Sequence, residues 1–264
     1  MPGGAHVRRP DSWLATAADA LASIFLSAEC RVCEEVLTRA SRLPICEECL
    51  ASFEPLTRQI CDVCGVPLPA FAGASVQPRF CPPCQNRTYA FDRVRSFALY
   101  DRALVKAILL LKFERIDPLG SWFAGRLAEL IERDPERLGA DVVVPVPLHR
   151  VREKERGYNQ AELLAKPLAK RLKLPCQPVL LVRTRPRPDK RMLSLDERWE
   201  SVRGAFATRP GSQVDNRRVL LVDDVLTTGA TLDACARALR EAGAKAVVGL
   251  TVARAIRHPD AGLR

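Results

Sequence analysis

Continuous apolar runs mark the predicted strands in the second half of the chain. The clearest occupy residues 141–147, 219–222 and 246–252, where apolar side chains follow one another almost without interruption. Such runs are typical of strands that are buried on both faces of a parallel sheet. Two shorter strands are predicted at residues 95–100 and near residues 178–182.

Between these strands the apolar positions change to a helical period. Helices are predicted at residues 103–113, 119–132 and 158–172, the last with Pro167 as a kink or boundary. A further helix follows the run at 219–222 and is expected to stop at Gly243. Strands that alternate with helices in this way predict an α/β fold with a mainly parallel sheet and right-handed crossovers.

The first third of the chain has a different pattern, in which cysteine pairs replace the periodic apolar residues. Eight of the ten cysteines form four C-x-x-C pairs, with 12 residues between the first two pairs and 16 between the last two. A C-x-x-C turn presents two thiolates to one ion, so two such turns complete a tetrahedral zinc site. The predicted metal ligands are Cys30, Cys33, Cys46, Cys49, Cys61, Cys64, Cys81 and Cys84.

This spacing favours two zinc sites over a disulfide framework, because disulfide-rich secreted domains usually lack such regular C-x-x-C pairs. Sequential pairing of the motifs gives two consecutive zinc ribbons, and cross-braced pairing of alternate motifs stays open as the alternative. With four cysteines on each ion, no coordination position is left for a substrate. We therefore expect both Zn²⁺ ions to be structural rather than catalytic.

The length of 264 residues leaves room for one large or two modest domains. We predict a docking helix within residues 1–27, a double zinc ribbon at 28–88 and the α/β domain at 89–264. The stretch from Trp13 to Leu26 is interpreted as an amphipathic helix and not as a signal peptide, since it is short and contains Asp19. No apolar run is long enough to cross a bilayer, so we expect no membrane insertion and a cytoplasmic location.

Charge is distributed unevenly along the sequence. Residues 1–85 hold 7 Lys and Arg against 9 Asp and Glu, whereas residues 86–264 hold 34 against 22. The net charge of +10 therefore comes wholly from the second part. Such a surplus favours phosphate-bearing or polyanionic ligands, among which pyrophosphate and nucleic acid are both candidates.

The stretch 218–231 combines a strand, two carboxylates, a hydroxyl-rich loop and the start of a helix. Asp223 and Asp224 lie at the carboxyl end of the strand, where open α/β sheets bind ligands. The backbone N–H groups of the loop and of the helix N-terminus form an anion site. A phosphate held there would place the hydroxyls of an attached sugar beside the carboxylates. The alternative is an ordinary turn between a strand and a helix, with a polar cap.

This order of residues closely resembles the phosphoribosyl-pyrophosphate (PRPP) motif of type I phosphoribosyltransferases. The resemblance implies that Asp223 and Asp224 hold the ribose 2- and 3-hydroxyls, which makes them the candidate catalytic residues. It also implies that the following loop binds the 5-phosphate and that Mg²⁺ accompanies PRPP. The residues of that loop are Thr227, Thr228, Gly229, Ala230 and Thr231.

Further motifs extend the resemblance over most of the chain. They lie at residues 111–113, 144–148, 156–160, 193–194 with Arg198, and 204–206. Together with the four C-x-x-C pairs, this order is similar to the ComF family, which includes ComFC-type and GntX-type proteins. The resemblance implies a type I phosphoribosyltransferase fold after the zinc ribbons. It also makes Lys112 and Arg156 candidate ligands of PRPP, against the alternative of a solvated basic face.

A strongly basic segment lies at residues 183–191, where five positive charges and one negative charge occur within nine residues. The resemblance places this segment near the mobile hood that covers PRPP in related enzymes. It could close over the pyrophosphate, grip a phosphodiester backbone or form a solvated loop. No aromatic residue is interleaved with it, which weakens the hypothesis that it binds nucleic acid by base stacking.

Two functional hypotheses follow. The first is a PRPP-binding phosphoribosyltransferase that transfers ribose 5-phosphate to an unidentified acceptor and releases pyrophosphate. The second, implied by the resemblance to ComFC-type proteins, is an accessory factor for competence and DNA uptake. Such a factor binds single-stranded DNA, works with competence proteins and keeps the PRPP pocket as a regulatory or vestigial site.

Overall fold

The computed structural model of the protein describes residues 28–37, 41–56, 59–69, 79–87, 89–186, 194–212 and 214–256. These residues form two compact units, the first ending at Ser52 and the second starting at Phe53. The predicted docking helix and residues 187–191 of the basic segment lie outside the described residues. The predicted division of the chain after residues 27 and 88 stays a prediction.

The first unit is organised around its cysteines. Its first C-x-x-C turn is closed by an antiparallel bridge between Glu29 and Val36. Helix α1, Glu47–Ala51, begins directly after Cys46, whose sulfur accepts a hydrogen bond from the N–H of Cys49 and so caps the helix. Because its described residues contain a single short helix, this unit depends on the cysteine cluster for its fold.

The second unit contains a parallel sheet, an antiparallel strand pair and eight helices among its described residues. The strands are β1 (Arg93–Leu99), β2 (Val142–Pro145), β3 (Leu181–Arg183), β4 (Phe206–Thr208), β5 (Arg218–Leu226) and β6 (Ala246–Arg254). The helices are α2 (Pro82–Asn86), α3 (Arg102–Phe113), α4 (Asp117–Arg133), α5 (Pro135–Leu138), α6 (Arg150–Arg156), α7 (Gln160–Leu172), α8 (Leu195–Glu200) and α9 (Ala230–Glu241). The sheet has the order β1-β6-β5-β2 with every neighbouring pair parallel, while β3 and β4 pair separately.

Both faces of the sheet are covered, which explains why its strands are continuously apolar. On one face α4 packs against β1 and β6, and α7 packs against β2 and β5. On the other face α9 packs against β6 and β4, within one hydrophobic cluster. The prediction of an α/β fold with a mainly parallel sheet is therefore confirmed. None of the described helices is both long and apolar enough to span a membrane.

Some boundaries differ from the predicted ones for physical reasons. Strand β5 continues beyond the apolar run to Leu226, because its backbone stays paired with β6. Helix α7 starts later than predicted, because the side chain of Asn159 accepts a hydrogen bond from the N–H of Ala161 and caps the helix. The short helix α6, which lies between β2 and α7, was not predicted.

Helix α7 contains Pro167 but continues past it to Leu172. Proline has no N–H, so the carbonyl of Leu163 loses its usual donor within the helix. Helix α4 approaches this point through Gly120, on which an added Cβ would lie 2.5 Å from the Leu163 oxygen. The glycine thus permits a contact between two helices that any larger residue would obstruct.

Replacing Gly120 with Ala should destabilise the second unit, because the added methyl group would clash with a backbone oxygen. We expect the free energy of unfolding to fall by about 2 kcal/mol. The control is Gly125→Ala in the same helix. There the Cβ would lie 3.6 Å from the Arg171 side chain, and Ala favours a helix over Gly by about 0.5–1 kcal/mol. Urea unfolding followed by circular dichroism measures both, and equal stability of the two variants would contradict the close contact.

Candidate functional site

The acidic pair lies where β5 loses a neighbour on one side. Strand β2 ends at Pro145, opposite Val222, whereas β5 continues beside β6 as far as Leu226. From Asp223 onward, β5 therefore has no ladder partner on its β2 side among the described residues. This edge is the carboxyl end of the parallel sheet, where open α/β proteins bind ligands.

Asp223 and Asp224 point to opposite faces of the sheet, because side chains alternate along a strand. Asp224 is 6% exposed, and its Oδ2 lies 3.1 Å from the Nζ of Lys112 in the last turn of α3. Asp223 is partly buried, and its Oδ1 accepts a hydrogen bond of 2.8 Å from the N–H of Asp224. A ligand that contacts both carboxylates must therefore lie across the strand rather than on one face.

Three motifs that are distant in sequence meet beside Asp224. The hydroxyl of Tyr158 donates to the Leu111 carbonyl at 3.0 Å and accepts from the N–H of Arg115 at 2.9 Å. The side-chain amide of Asn159 donates to the Val146 carbonyl, also at 3.0 Å. These contacts join the end of α3, the turn after β2 and the start of α7. The segment at residues 156–160 thus holds the helix end that carries Lys112.

The structure places Arg156 at the C-terminal end of α6, near the same helix end. Its Nη1 donates to the Oε1 of Gln160 at 2.5 Å, and its Cζ lies 5.1 Å from the centre of the Phe113 ring. His149 begins α6, where its Nδ1 accepts a hydrogen bond of 3.4 Å from the N–H of Val151. His149 therefore caps a helix, while Arg156 offers a cation close to Lys112.

The hydroxyl-rich loop connects β5 to α9 and starts the helix. Gly229 has a φ of 85°, in the left-handed region, and is the N-cap of α9. The hydroxyl of Thr228 accepts a hydrogen bond of 3.3 Å from the N–H of Ala230. The first turn of a helix of this length presents N–H groups and a positive dipole end, which favour a bound anion.

Arg254 supports this loop, and sequence reasoning missed it. Its guanidinium is 8% exposed, and Nη1 donates to the carbonyls of Leu226 at 3.3 Å and Thr227 at 2.6 Å. Its Nη2 lies 3.7 Å from the sulfur of Cys64. The one sequence signal for this role is an arginine that closes the apolar run of β6. The guanidinium links the loop to the second cysteine cluster.

Arg183 is a second functional candidate that sequence reasoning recognised only as part of the basic segment. It is 8% exposed and bridges the backbone of His149. Its Nε donates to the Arg185 carbonyl at 2.9 Å, but its buried Nη2 has no hydrogen-bond partner among the described residues. Burial lowers the pKa of Arg183, whereas Cys235 and Asp223 act in the opposite direction. A buried donor that has no hydrogen-bond partner among the described residues is suited to an anionic ligand.

The eight cysteines of the motifs form two clusters of four sulfurs, each with all sulfurs within 4.8 Å of one another. The first cluster contains Cys30, Cys33, Cys46 and Cys49, and the second contains Cys61, Cys64, Cys81 and Cys84. These are the sets that sequential pairing of the motifs predicts. All ten cysteines of the chain are described, and none forms a disulfide.

The sulfur geometry fits Zn²⁺. Four sulfurs about 2.3 Å from a central ion are about 3.8 Å apart in a tetrahedron. The observed sulfur separations are 3.7 Å between Cys33 and Cys46 and 3.6 Å between Cys64 and Cys81. Each cluster therefore has the ligand set and the spacing that suit one ion.

Backbone N–H groups donate hydrogen bonds to sulfurs in both clusters. The N–H of Cys46 donates to the sulfur of Cys30 at 3.3 Å, and the N–H of Cys81 donates to that of Cys61 at 3.4 Å. Burial raises the pKa of Cys30, but the hydrogen bonds from the backbone outweigh it and lower this pKa to about 6. The neighbouring thiol of Cys64 lowers the pKa of Cys61. Burial raises the pKa of Cys49, and the hydrogen bond with Cys61 raises the pKa of Cys64. One thiol in each cluster is thus shifted toward the thiolate that binds metal.

The second cluster is attached directly to strand β1. The N–H of Val94 donates to the Val63 carbonyl at 2.7 Å, and Arg95 donates to the Asp62 carbonyl at 3.1 Å. Gly65 has a φ of 67°, and a Cβ on it would lie only 2.8 Å from the Val94 oxygen. Gly65 is therefore required for two reasons. Its backbone is in the left-handed region, and it lies too close to β1 to carry a side chain.

Part of the second unit matches a known family model. Residues 159–260 match the model described as the phosphoribosyl transferase domain. The matched range includes Asp223, Asp224 and the loop at 227–231, and it begins at Asn159. The cysteine clusters lie outside this range.

Curated relatives extend the similarity over most of the chain. Competence protein F of Haemophilus influenzae is 31% identical over 200 residues, which cover 74% of this chain and 84% of the relative. The DNA utilization protein YhgH of Escherichia coli is 32% identical, with 72% of this chain and 82% of the relative covered. Competence protein ComFC of Bacillus subtilis is 30% identical, and the corresponding shares are 77% and 81%. With this similarity, a phosphoribosyl transferase domain and two four-cysteine clusters, the chain belongs to the ComF family.

Proposed function

We propose that the chain binds PRPP across the carboxyl edge of β5 and transfers its ribose 5-phosphate to an acceptor. The observation that carries this proposal is the buried carboxylate of Asp224, which is paired with Lys112 and followed by a hydroxyl-rich loop at a helix N-terminus. In this proposal Asp223 and Asp224 accept hydrogen bonds from the ribose hydroxyls. The loop from Thr227 to Thr231 donates to the 5-phosphate.

The hydrogen bonding of Asp224 supports this assignment. Its buried Oδ2 forms the ion pair with Lys112 but accepts no hydrogen bond from the described residues. A buried carboxylate oxygen normally accepts hydrogen bonds, and a sugar hydroxyl would supply one. The two carboxylates on opposite faces of β5 suit a ribose that lies across the strand.

Three cations near this edge would receive the pyrophosphate. Lys112 and Arg156 lie on the side of α3, and Arg183 lies beside the turn after β2. An arginine supplies two donors to a phosphate in a fixed geometry, and the unpartnered Nη2 of Arg183 has such a donor available. Positive charge placed here stabilises pyrophosphate as it leaves.

The proposed reaction needs positioning more than acid–base chemistry. A lone pair of the acceptor forms a bond to C1 of the ribose, while the bond from C1 to the pyrophosphate oxygen breaks and its electrons leave with pyrophosphate. The acceptor proton passes to solvent. Mg²⁺, which we expect to bind with PRPP, supplies further neutralisation of the pyrophosphate charge. Asp223 and Asp224 hold the sugar in place during this exchange.

We further propose that each cysteine cluster holds one structural Zn²⁺ ion. Four thiolates and one Zn²⁺ leave a net negative charge, which a nearby cation stabilises. At the second cluster Arg254 supplies this cation, since its Nη2 lies 3.7 Å from the Cys64 sulfur. Zinc at this cluster would therefore help to fix the residue that supports the phosphate loop.

Changing both Asp223 and Asp224 to Asn should weaken PRPP binding by about tenfold or more, because hydrogen bonds to a charged group are worth about 1.5–3 kcal/mol each. Calorimetric titration of the zinc-loaded protein with PRPP and Mg²⁺ measures the change. Asp117→Asn, at an exposed ion pair with Arg115, is the matched control and should bind like the unmodified protein. Equal affinity of the double variant and the control would contradict the assignment of the acidic pair.

Zinc content should respond to each cluster separately. The purified protein is expected to contain two zinc ions per chain by plasma mass spectrometry. Cys33→Ser with Cys46→Ser should leave one ion, and Cys64→Ser with Cys81→Ser should also leave one. Only the second pair should lower the melting temperature of the sheet unit, because that cluster is bonded to β1. Unchanged zinc content in either variant would refute the corresponding site.

A second function, the handling of single-stranded DNA, is favoured by two observations. The relatives are named competence proteins and DNA utilization proteins, and the net charge of +10 comes from the part of the chain that contains the sheet. In this proposal the protein acts in the cytoplasm with competence proteins, and PRPP binding regulates it. Binding of this kind depends mainly on charge and therefore on salt.

Single-stranded DNA should shift in a native gel at low salt, with an affinity that falls steeply as salt is raised. The variant with Asn at both 223 and 224 should still bind DNA in this salt-dependent way, because it removes no positive charge. The absence of any shift at low ionic strength would refute the second function. It would leave the proposal of PRPP binding untouched.

A further inference from the structure

The second cysteine cluster and the loop at 227–231 line the same cavity, which has a volume of about 640 Å³. The cluster contributes Cys64 and Cys81 to the lining, and the loop contributes Thr227 and Thr228. A cavity leaves the parts around it with little direct packing there. A side chain that contacts both parts therefore has a large influence on how they are held.

Arg254 lines this cavity and contacts both parts. At the start of the loop, its Nη1 donates to the carbonyls of Leu226 at 3.3 Å and Thr227 at 2.6 Å. At the cluster, its Nη2 lies 3.7 Å from the sulfur of Cys64. Both nitrogens belong to one rigid, planar guanidinium. A movement that breaks the contact with the cluster therefore also disturbs the contacts with the loop.

The cluster also supplies the negative charge that Arg254 needs. The side chain is 8% exposed, and a buried cation without a negative partner is unfavourable. Arg254 forms no ion pair with a carboxylate among the described residues. Four thiolates around one Zn²⁺ carry a net negative charge. The second cluster with its ion is therefore the partner that suits this guanidinium.

A metal ion in the second cluster should thus influence the loop through one side chain. With an ion bound, the four sulfurs are fixed around it, and the Cys64 sulfur holds the guanidinium in place. Without an ion, a short segment of this kind loses the interaction that folds it. Arg254 then loses its partner, and the carbonyls of Leu226 and Thr227 lose a fixed donor. The loop is no longer preorganised for a phosphate.

We infer that Arg254 is a positioning residue that couples the second cysteine cluster to the loop at 227–231. Through it, metal binding at the cluster raises the affinity of the loop for a sugar phosphate. The inference rests on the proposed function, since it takes this loop as the phosphate site. Coupling between two binding sites is reciprocal. A sugar phosphate at the loop therefore strengthens the binding of the ion, and the cluster regulates the site as well as stabilising the fold.

Zinc retention measures this coupling in the full-length chain. In Cys33→Ser with Cys46→Ser, the remaining ion lies in the second cluster. Ribose 5-phosphate, added without Mg²⁺, should lower the zinc dissociation constant of this variant about fivefold or more in competition with a coloured chelator. In Cys64→Ser with Cys81→Ser, the remaining ion lies in the first cluster and should not respond. An equal response of both variants, or no response of the first, would overturn the inference.

Substitution of Arg254 tests whether it carries the coupling. The coupling factor is the ratio of the zinc dissociation constants without and with ribose 5-phosphate. Arg254→Gln should reduce this factor to below about twofold. Arg254→Lys keeps a positive charge near Cys64 but lacks the second nitrogen that reaches the loop. The Lys variant should therefore bind zinc more tightly than the Gln variant and still show little coupling.

Arg95→Gln is the matched control for a purely structural role. Arg95 is also 8% exposed, and its guanidinium donates to the carbonyls of Cys61 and Asp62 at 3.4 and 3.1 Å. It holds the same cluster, but its hydrogen bonds go to that cluster and to Val94 rather than to the loop. Arg95→Gln should weaken zinc binding and keep the coupling factor. An equal loss of coupling in Arg95→Gln and Arg254→Gln would mean that Arg254 only supports the fold, which would overturn the inference.

Hydrogen exchange of the loop provides a readout that needs neither a sugar phosphate nor a substitution in the second unit. The protein with Cys33→Ser and Cys46→Ser is compared before and after a chelator removes its zinc. Exchange at residues 226–231, followed by mass spectrometry, should become about tenfold faster without the ion, because the loop opens more often. Unchanged exchange at these residues would overturn the inference.

Failure of this inference differs from failure of the proposed function. Calorimetric binding of ribose 5-phosphate that is equally tight with and without zinc in the second cluster overturns the coupling alone. If neither ribose 5-phosphate nor PRPP binds the zinc-loaded protein, the proposed function is refuted. Hydrogen exchange then still decides whether the cluster is coupled to the loop. Faster exchange after zinc loss supports that coupling, and unchanged exchange overturns it.

Discussion

A carboxylate buried within a sheet needs a positive partner, because an unpaired charge in a dry environment is costly. At Asp224 that partner is Lys112, and much of the surrounding structure serves to bring it within 3.1 Å. The end of α3 is held by the hydroxyl of Tyr158. Tyr158 is positioned in turn because Asn159 binds the segment after β2. The ion pair between Asp224 and Lys112 thus depends on contacts among the end of α3, the turn after β2 and the start of α7.

The sequence pattern predicted those parts of the fold that depend on local periodicity and spacing. Apolar runs located the buried strands, and the C-x-x-C intervals identified the two four-sulfur sets. The acidic pair and its loop were placed correctly at the carboxyl end of a strand. Burial on both faces of a sheet requires consecutive apolar residues, and a C-x-x-C turn requires a fixed spacing of cysteines. Both requirements can therefore be recognised in the sequence.

Other parts of the site depend on contacts between side chains that are distant in sequence. A short sequence motif does not predict such contacts. Arg183 and Arg254 are buried cations in a chain with 41 Lys and Arg residues, and the position of Arg254 at the end of an apolar run is the one feature of the sequence that sets either of them apart. The opposite directions of Asp223 and Asp224 follow from the extension of β5 beyond its apolar run, which depends on pairing with β6. The contact between the rings of Tyr89 and Trp199, whose centres lie 5.9 Å apart, joins segments that are far apart in the chain.

The position of Arg254 in the last residue of β6 also has a consequence during synthesis of the protein. The ribosome delivers β5 and its loop before it delivers β6, and until then one edge of the apolar strand β5 lacks its neighbour. Until Arg254 has been translated, the carbonyls of Leu226 and Thr227 also lack the guanidinium that donates hydrogen bonds to them. An incomplete chain therefore exposes the unpaired edge of β5, which is prone to aggregation. The loop after β5 also lacks the support of Arg254. Ligand binding can begin only after β6 has been translated and has paired between β1 and β5.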